Sequence, residues 1–147
     1  MNDRAISYET KQHVYKRANG CCEYCLSQAR YSTQSFSIDH IIPISKGGNS
    51  EFDNLALSCQ GCNSHKYNKT TSFDPLSNEE TELFNPRVNK WNEHFHWSYD
   101  YTQIIGITKI GRTTVEALKL NREGIVNLRK ILFKEGEHPP STVINNY

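Results

Sequence analysis

Two pairs of cysteines have the spacing at which a tight turn brings both thiolates of a pair to one metal ion. The pairs are Cys22 with Cys25 and Cys59 with Cys62, and two residues separate the members of each pair. Four soft, charged thiolates favour Zn²⁺, and four protein ligands leave no open position for a substrate. We therefore predict a structural zinc site. The fifth cysteine, Cys21, is expected to be a bystander.

A second group of polar residues has the side chains that a hydrolysis needs. Asp39 and His40 are adjacent in a stretch rich in β-branched residues, and they are followed by Asn54, Asn63 and Lys66. An isolated Asp-His pair more often belongs to a surface or a capped turn. The residues around this pair therefore decide how it is interpreted.

The surrounding stretch resembles the HNH endonuclease family almost continuously. The segments that carry the resemblance are Ile38-Asp39-His40-Ile41-Ile42-Pro43, Lys46-Gly47-Gly48, Asp53-Asn54-Leu55 and Cys59-Gln60-Gly61-Cys62-Asn63. The family's ββα-metal unit often carries paired CxxC knuckles, and the core resemblance covers residues 20–69. A looser similarity to an extension of a bacterial subgroup runs from Phe84-Asn85-Pro86-Arg87 to Gly111-Arg112-Thr113-Thr114-Val115. The resemblance implies an endonuclease.

Hydrolysis of a phosphodiester divides naturally between His40 and Asp39. The reaction needs a nucleophilic water, neutralised charge on the phosphoryl oxygens and a stabilised leaving alkoxide. We expect His40 to be the general base, because an imidazole with a pKa of about 6.5 can take a proton from water at physiological pH. We expect Asp39 to bind a divalent cation. Oxygen ligands favour Mg²⁺ or Mn²⁺ over zinc at this second, catalytic site.

Two asparagines complete the expected site. If Cys62 faces the zinc, Asn63 is turned by about 100° around the helix and can face Asp39, so its amide oxygen can be a second metal ligand. The family's third motif residue is often histidine, and asparagine is a replacement also seen in active members. Asn54 is expected to bond backbone groups of its loop and thereby to orient His40. Without the surrounding motif, Asn54 would be interpreted as a turn residue.

Three lysines are candidates for contacts with a nucleic-acid backbone. Lys66 comes three residues after Asn63, on the same helix face, where its ammonium would be near phosphate. Lys46 and Lys69 are weaker candidates, as is Arg87, because each of them alone is more often a solvated charge.

Short elements are predicted to position these residues. A helix capped by Ser7 leads to the first cysteines, a strand ends near His40, and residues 55–57 return as a second strand. Residues 59–68 are predicted to form a short helix. Strand, loop, strand and helix make a ββα unit that is too small to be stable without a staple.

The remaining chain is predicted to extend this unit. Residues 70–89 are polar, without a clear period, and are interpreted as a connecting arm. Residues 91–107 predict a hairpin turning near Asp100, in which His94 and His96 pack or contact DNA rather than bind metal. Two helices are expected to follow, the first carrying Val115 and Leu118 and the second capped by Asn121, with apolar positions at Ile125, Leu128 and Leu132.

The fold class is therefore predicted as α+β. A small ββα-metal (His-Me finger) unit, stapled by the four cysteines and preceded by a helix, is assigned to residues 1–70. Residues 71–147 are assigned to a hairpin-plus-helices extension packed on the same domain. A chain of 147 residues suits one such domain.

Composition indicates where the protein is located and which partners it could have. No apolar run approaches the roughly 20 residues that span a bilayer, and the N-terminus lacks a secretory signal. We therefore expect a cytoplasmic protein without a membrane partner, in which reduced cysteines hold zinc rather than form disulfides. The formal charge is only +1, but residues 109–134 hold seven Lys and Arg against two Glu. This basic segment suits either a phosphate-rich partner or a solvated helix face.

Substrate and biological role are less determined than chemistry. The resemblance implies DNA, which we expect to be double-stranded, whereas a metal and a base acting on phosphate suit RNA or single-stranded DNA as well. A zinc-stapled nucleic-acid-binding module without cleavage is the alternative from another class. Restriction, phage defence, homing and repair all use this unit. A double-strand cut by one active site requires two events or two subunits, which leaves a homodimer open.

Overall fold

The computed structural model describes residues 6–140. Within this range the chain forms five α-helices and three two-stranded antiparallel sheets, in the order α1 (Tyr8–Arg17), β1 (Ser37–His40), β2 (Leu55–Ser58), α2 (Gln60–Lys66), β3 (Thr71–Phe73), β4 (Glu80–Glu82), α3 (Trp91–His94), β5 (Phe95–Trp97), β6 (Ile104–Gly106), α4 (Lys109–Ala117) and α5 (Glu123–Lys134). This is an α+β fold, as predicted. No helix between residues 6 and 140 is long and apolar enough to cross a membrane.

Helix α1 begins where the sequence predicts. Ser7 is its N-cap, and the Ser7 hydroxyl accepts a hydrogen bond from the backbone N–H of Thr10 at 3.1 Å. Val14 and Ala18 are buried against apolar residues of the β1–β2 hairpin, whereas Tyr15 is largely exposed. The helix therefore packs on the hairpin that leads to the candidate site.

The predicted ββα unit is present. Strands β1 and β2 pair antiparallel, with Asp39 opposite Ala56 and His40 opposite Leu55. Helix α2 follows at once, and its N-cap is Cys59, whose Sγ accepts from the backbone N–H of Cys62 at 3.4 Å. One cysteine thus starts the helix and turns towards its paired thiol.

The segment interpreted as a connecting arm contains a hairpin instead. Strands β3 and β4 pair between residues 71 and 82, but neither strand buries one face fully, so the sequence shows no alternation. Asp74 organises the turn, because its carboxylate accepts from the hydroxyl of Ser77 at 2.7 Å. The same carboxylate receives two hydrogen bonds from Arg112 of α4, at 2.8 and 2.9 Å.

The predicted hairpin around Asp100 is formed by β5 and β6. The carboxylate of Asp100 accepts from the hydroxyls of Ser98 and Thr102, each at 2.8 Å, and closes the turn. His94 lies in α3 rather than in the strand, with its Nδ1 at 2.7 Å from the hydroxyl of Thr108. The two histidines therefore do not share a strand face.

The two predicted C-terminal helices are present, but the second starts later than expected. Its N-cap is Arg122, so the prediction of Asn121 is wrong. The Asn121 amide instead bonds the backbone of Ile104 in both directions, at 2.7 and 2.9 Å, and so ties the helix pair to β6. A tertiary contact has taken the side chain that a local cap would use.

One hydrophobic core joins the ββα unit to the extension. Buried residues of both parts belong to it, among them the four paired cysteines, Tyr24, Phe84, Trp91, Phe95, Leu118 and Ile125. At some positions the backbones of neighbouring elements pack so closely that no side chain fits between them. A Cβ added at Gly111 in α4 would lie 2.0 Å from the carbonyl oxygen of His94.

Replacing Gly111 with alanine is expected to destabilise the protein by about 1–3 kcal/mol, because the helices must move apart to admit the methyl group. Gly124→Ala is the matched control in α5, where an added Cβ meets nothing within 4 Å. That change is expected to stabilise the protein by about 0.4–1 kcal/mol. Urea unfolding measures both. Shifts of the same sign in the two variants would contradict this packing.

Candidate zinc site and active site

The four paired cysteines converge as predicted. One sulfur from each of Cys22, Cys25, Cys59 and Cys62 lies within 4.8 Å of all the others, and all four residues are buried. A tetrahedral zinc ion with Zn–S bonds of about 2.3 Å separates its sulfurs by about 3.8 Å. The Cys25 and Cys59 sulfurs are 3.6 Å apart, which fits that edge and is far longer than a disulfide. Cys21 lies outside the cluster, as expected.

Arg122 is an unpredicted neighbour of this cluster. Its Nη2 donates to the sulfur of Cys59 at 3.2 Å, and its Nη1 lies 3.7 Å from the sulfur of Cys62. A Cβ at Gly61 would come within 2.4 Å of the guanidinium, so the absence of a side chain there makes room for it. A guanidinium beside thiolates offsets their negative charge. The start of α5 therefore covers the second knuckle.

The first knuckle is also held by the extension. Glu23 lies between two of the cysteines, is buried, accepts from the backbone N–H of Leu57 at 2.8 Å and forms an ion pair with Arg87. Trp91 donates its indole N–H to the carbonyl oxygen of Tyr24 at 3.0 Å. Arg87, a weak candidate for phosphate binding, is thus engaged in an internal ion pair.

Asp39 is buried at the side of β1 that faces α2. Its Oδ2 accepts from the hydroxyl of Tyr24 at 2.7 Å and lies 3.1 Å from the ammonium of Lys66. Its Oδ1 has a longer contact with the same ammonium, at 3.4 Å. Burial raises the pKa of the Asp39 carboxyl, and the Lys66 charge and the Tyr24 hydroxyl counteract part of that rise.

Lys66 does not present its ammonium at the surface, contrary to the prediction. Only 2% of the residue is exposed. Besides contacting Asp39, the ammonium donates to the carbonyl oxygens of His40 at 3.3 Å and Ile41 at 3.0 Å. The carboxylate and the two carbonyls satisfy its three donors, which is why a lysine is stable in this interior position.

His40 lies beside the loop between the two strands. Its Nε2 is 2.9 Å from the hydroxyl of Ser50, a residue that the sequence analysis did not single out. Asp39 and His40 direct their side chains to different partners, as the alternation of a strand requires. Ser50 belongs to a run of turn residues, and that composition carries no signal for a contact with a particular ring.

Asn54 bonds the loop backbone as predicted. Its Oδ1 accepts from the N–H of Ile42 at 3.0 Å, and its Nδ2 donates to the carbonyls of Ile42 at 3.0 Å and Asn49 at 2.8 Å. Gly48 packs in the same place, since a Cβ there would lie 1.8 Å from the Ile42 carbonyl oxygen. These contacts fix the loop. The influence of Asn54 on the His40 ring stays a prediction.

Asn63 is half-buried on α2, one residue after a zinc-facing cysteine. Among residues 6–140 its side-chain amide has no hydrogen-bond partner. Lys46, Lys66 and Lys69 line a common cleft of about 330 Å³ beside Ile41, which follows His40 in the chain. The structure therefore brings the predicted lysines to one cleft, with Lys46 and Lys69 exposed on it.

Three arginines of the C-terminal helices make internal contacts. Arg112 bonds Asp74, and Arg122 bonds two cysteines. Arg129 is buried and donates to the carbonyl oxygens of Thr102 at 2.9 Å and Leu120 at 2.7 Å. These three arginines are therefore engaged within the protein, whereas Lys130 and Lys134 of α5 are exposed.

Removing Arg122 is expected to weaken zinc retention. Arg122→Ala should release zinc to a chromogenic chelator about fivefold faster, which corresponds to the loss of about 1 kcal/mol of charge-assisted hydrogen bonding. Lys119→Ala is the control, because Lys119 is exposed and pairs with Glu116 on the surface. Equal release rates from the two variants would refute a role of the guanidinium at the cluster.

The buried pair of Lys66 and Asp39 makes a second prediction. Lys66→Met should destabilise the protein by about 3–5 kcal/mol, because it leaves a buried carboxylate without its counter-charge. The double variant Asp39→Asn/Lys66→Met should lose less. Urea unfolding gives both values, and the exposed Lys69→Met is the control. A Lys66→Met variant as stable as Lys69→Met would contradict the burial of this pair.

A comparison with protein families agrees with this geometry. Residues 22–69 match the family model described as HNH endonuclease, which confirms the resemblance over about a third of the chain. No match was found among curated proteins or among solved structures. The matched range contains both cysteine pairs, the β1–β2 hairpin and α2. Residues 22–69 are therefore similar to the HNH endonuclease domain, which indicates a nuclease, and they contain a four-cysteine cluster suited to a zinc knuckle.

Proposed function

We propose that the protein is a metal-dependent endonuclease that hydrolyses phosphodiester bonds in DNA, with His40 as the general base. The observation that carries this proposal is the placement of Asp39 and His40 at the end of β1, beside α2, inside the range that matches the HNH model. DNA is favoured over RNA by the family resemblance. A zinc-stapled module that binds nucleic acid without cutting it is the alternative.

His40 takes the proton from the attacking water in this proposal. Its ring contacts Ser50, in the loop that Asn54 fixes, and we expect this contact to limit the freedom that the ring loses when substrate binds. The Nε2 atom already has a hydroxyl partner in Ser50, at 2.9 Å. A water that displaces this hydroxyl would be hydrogen-bonded to the base.

Asp39 and Asn63 would hold the catalytic Mg²⁺ or Mn²⁺. A carboxylate and an amide oxygen are the donors that such hard cations prefer, so the residues present fit the ion. When bound, the ion neutralises charge on the scissile phosphate and stabilises the leaving oxygen. We assign Oδ1 of Asp39 to this role, because Oδ2 is the oxygen that Tyr24 and Lys66 approach most closely.

The cleft lined by Lys46 and Lys69 would receive the nucleic-acid backbone. Both lysines are exposed, and the cleft lies next to the residues that follow His40. Lysines are point charges for phosphate and carry no base preference. Lys66 would act instead through Asp39, as a positioning residue.

The proposal is tested with supercoiled plasmid, Mg²⁺ or Mn²⁺, and purified zinc-replete protein. We expect nicked or linear product, and we expect His40→Ala to lower the rate by about 100-fold or more, the usual contribution of a general base. His65→Ala is the matched control, because His65 is an exposed histidine on α2. EDTA should abolish cleavage by the parent protein.

Equal zinc content and equal urea midpoints would show that His40→Ala is folded. Single-stranded DNA and RNA of the same sequence, digested in parallel, decide the substrate class. Full activity of the His40→Ala variant would exclude His40 as the general base. Binding of plasmid without cleavage under either metal would favour the non-catalytic module.

A further inference from the structure

A surface formed by the C-terminal part of the chain presents aromatic rings to solvent. It lies between the β5–β6 turn and the last turns of α5, and it borders an open cleft of about 1120 Å³. Tyr99 stands at the tip of the turn and is fully exposed, at 102% of its reference area. Tyr101 and Phe133 stack with centroids 5.3 Å apart and planes within 16°, and both remain more than a third exposed.

The rings are held in place by a closed network in the turn. Asp100 accepts from Ser98 and Thr102, and the N–H of Gln103 donates to the Ser98 hydroxyl at 3.0 Å. His138 contacts the carbonyl oxygen of Tyr101 through its Nε2, at 2.9 Å. A turn fixed in this way presents its tyrosines at little cost in conformational entropy when a ligand binds.

Two lysines flank the same rings. Lys130 and Lys134 lie one helical turn apart on α5 and line the cleft. Neither forms an ion pair with any residue between 6 and 140, whereas Arg87, Lys109 and Arg112 of the extension are all paired. The one carboxylate of the surface, Asp100, is occupied by hydroxyl donors. The cleft therefore combines exposed π-faces with two available positive charges.

We propose that this aromatic–lysine surface, formed by Tyr99, Tyr101, Phe133, Lys130 and Lys134, binds unpaired nucleic acid. A base would stack on an exposed tyrosine while the lysines contact neighbouring phosphates, which is how proteins bind single strands without reading sequence. A duplex keeps its bases stacked inside and offers these rings no face. The surface shares no lining residue with the cleft beside His40, so the proposal does not depend on cleavage.

Fluorescence anisotropy with a dye-labelled oligo-dT and a hairpin duplex of equal length tests this site. The measurements use the His40→Ala protein without divalent metal, so they detect binding and not cleavage. A failure of the plasmid-cleavage test would therefore leave their result unaffected. We expect Tyr99→Ala, made in that protein, to weaken oligo-dT binding about tenfold. Lys130→Ala/Lys134→Ala should reduce the salt dependence of log K by about 1.4, from about 0.7 for each lost phosphate contact.

The control variants carry the same changes elsewhere. Tyr8→Ala removes an exposed tyrosine from α1, and Lys11→Ala/Lys16→Ala removes two of its lysines. Oligo-dT binding that Tyr99→Ala leaves unchanged would overturn the proposal, as would equal losses for oligo-dT and duplex. A dimer in sedimentation that Tyr99→Ala dissociates would assign the surface to a second copy of the chain instead.

Discussion

Four buried sulfur atoms that must face one point impose the strongest constraint on this fold. They come from two turns that are far apart in the sequence, and the first turn also directs two neighbouring side chains elsewhere. Glu23 pairs with Arg87, and Tyr24 reaches Asp39. A two-stranded hairpin and a helix of seven residues cannot bury enough apolar surface to be stable alone. The cluster supplies the missing cross-link.

The extension also stabilises the two cysteine knuckles. Trp91 and Arg87 hold the first knuckle, and Arg122 holds the second. The apolar core runs without a break from the cysteines to α5. The metal site, the hairpins and the last two helices therefore share one packing unit, although only residues 22–69 match the family model.

Features set by local spacing could be predicted from the sequence, whereas features set by distant partners could not. The cysteine pairs, the Ser7 cap and the bonds of Asn54 depend on residues close in the chain or on turn chemistry. Arg122 contacts a cysteine 63 positions away, and Arg87 pairs across 64 positions. No periodicity in the sequence predicts pairs of residues that are so far apart. Lys66 was placed on the correct helix face but at the wrong depth, because the pattern shows direction and not burial.

Tyr24 connects the cysteine cluster to Asp39. It lies between the cysteines of the first knuckle, and its hydroxyl holds the oxygen of Asp39 that Lys66 also approaches. An oxidant that reached only the sulfurs would loosen this knuckle and free the tyrosine from the carboxylate. Oxidation of the knuckle would then change the hydrogen bonding of Asp39 without altering the carboxylate itself.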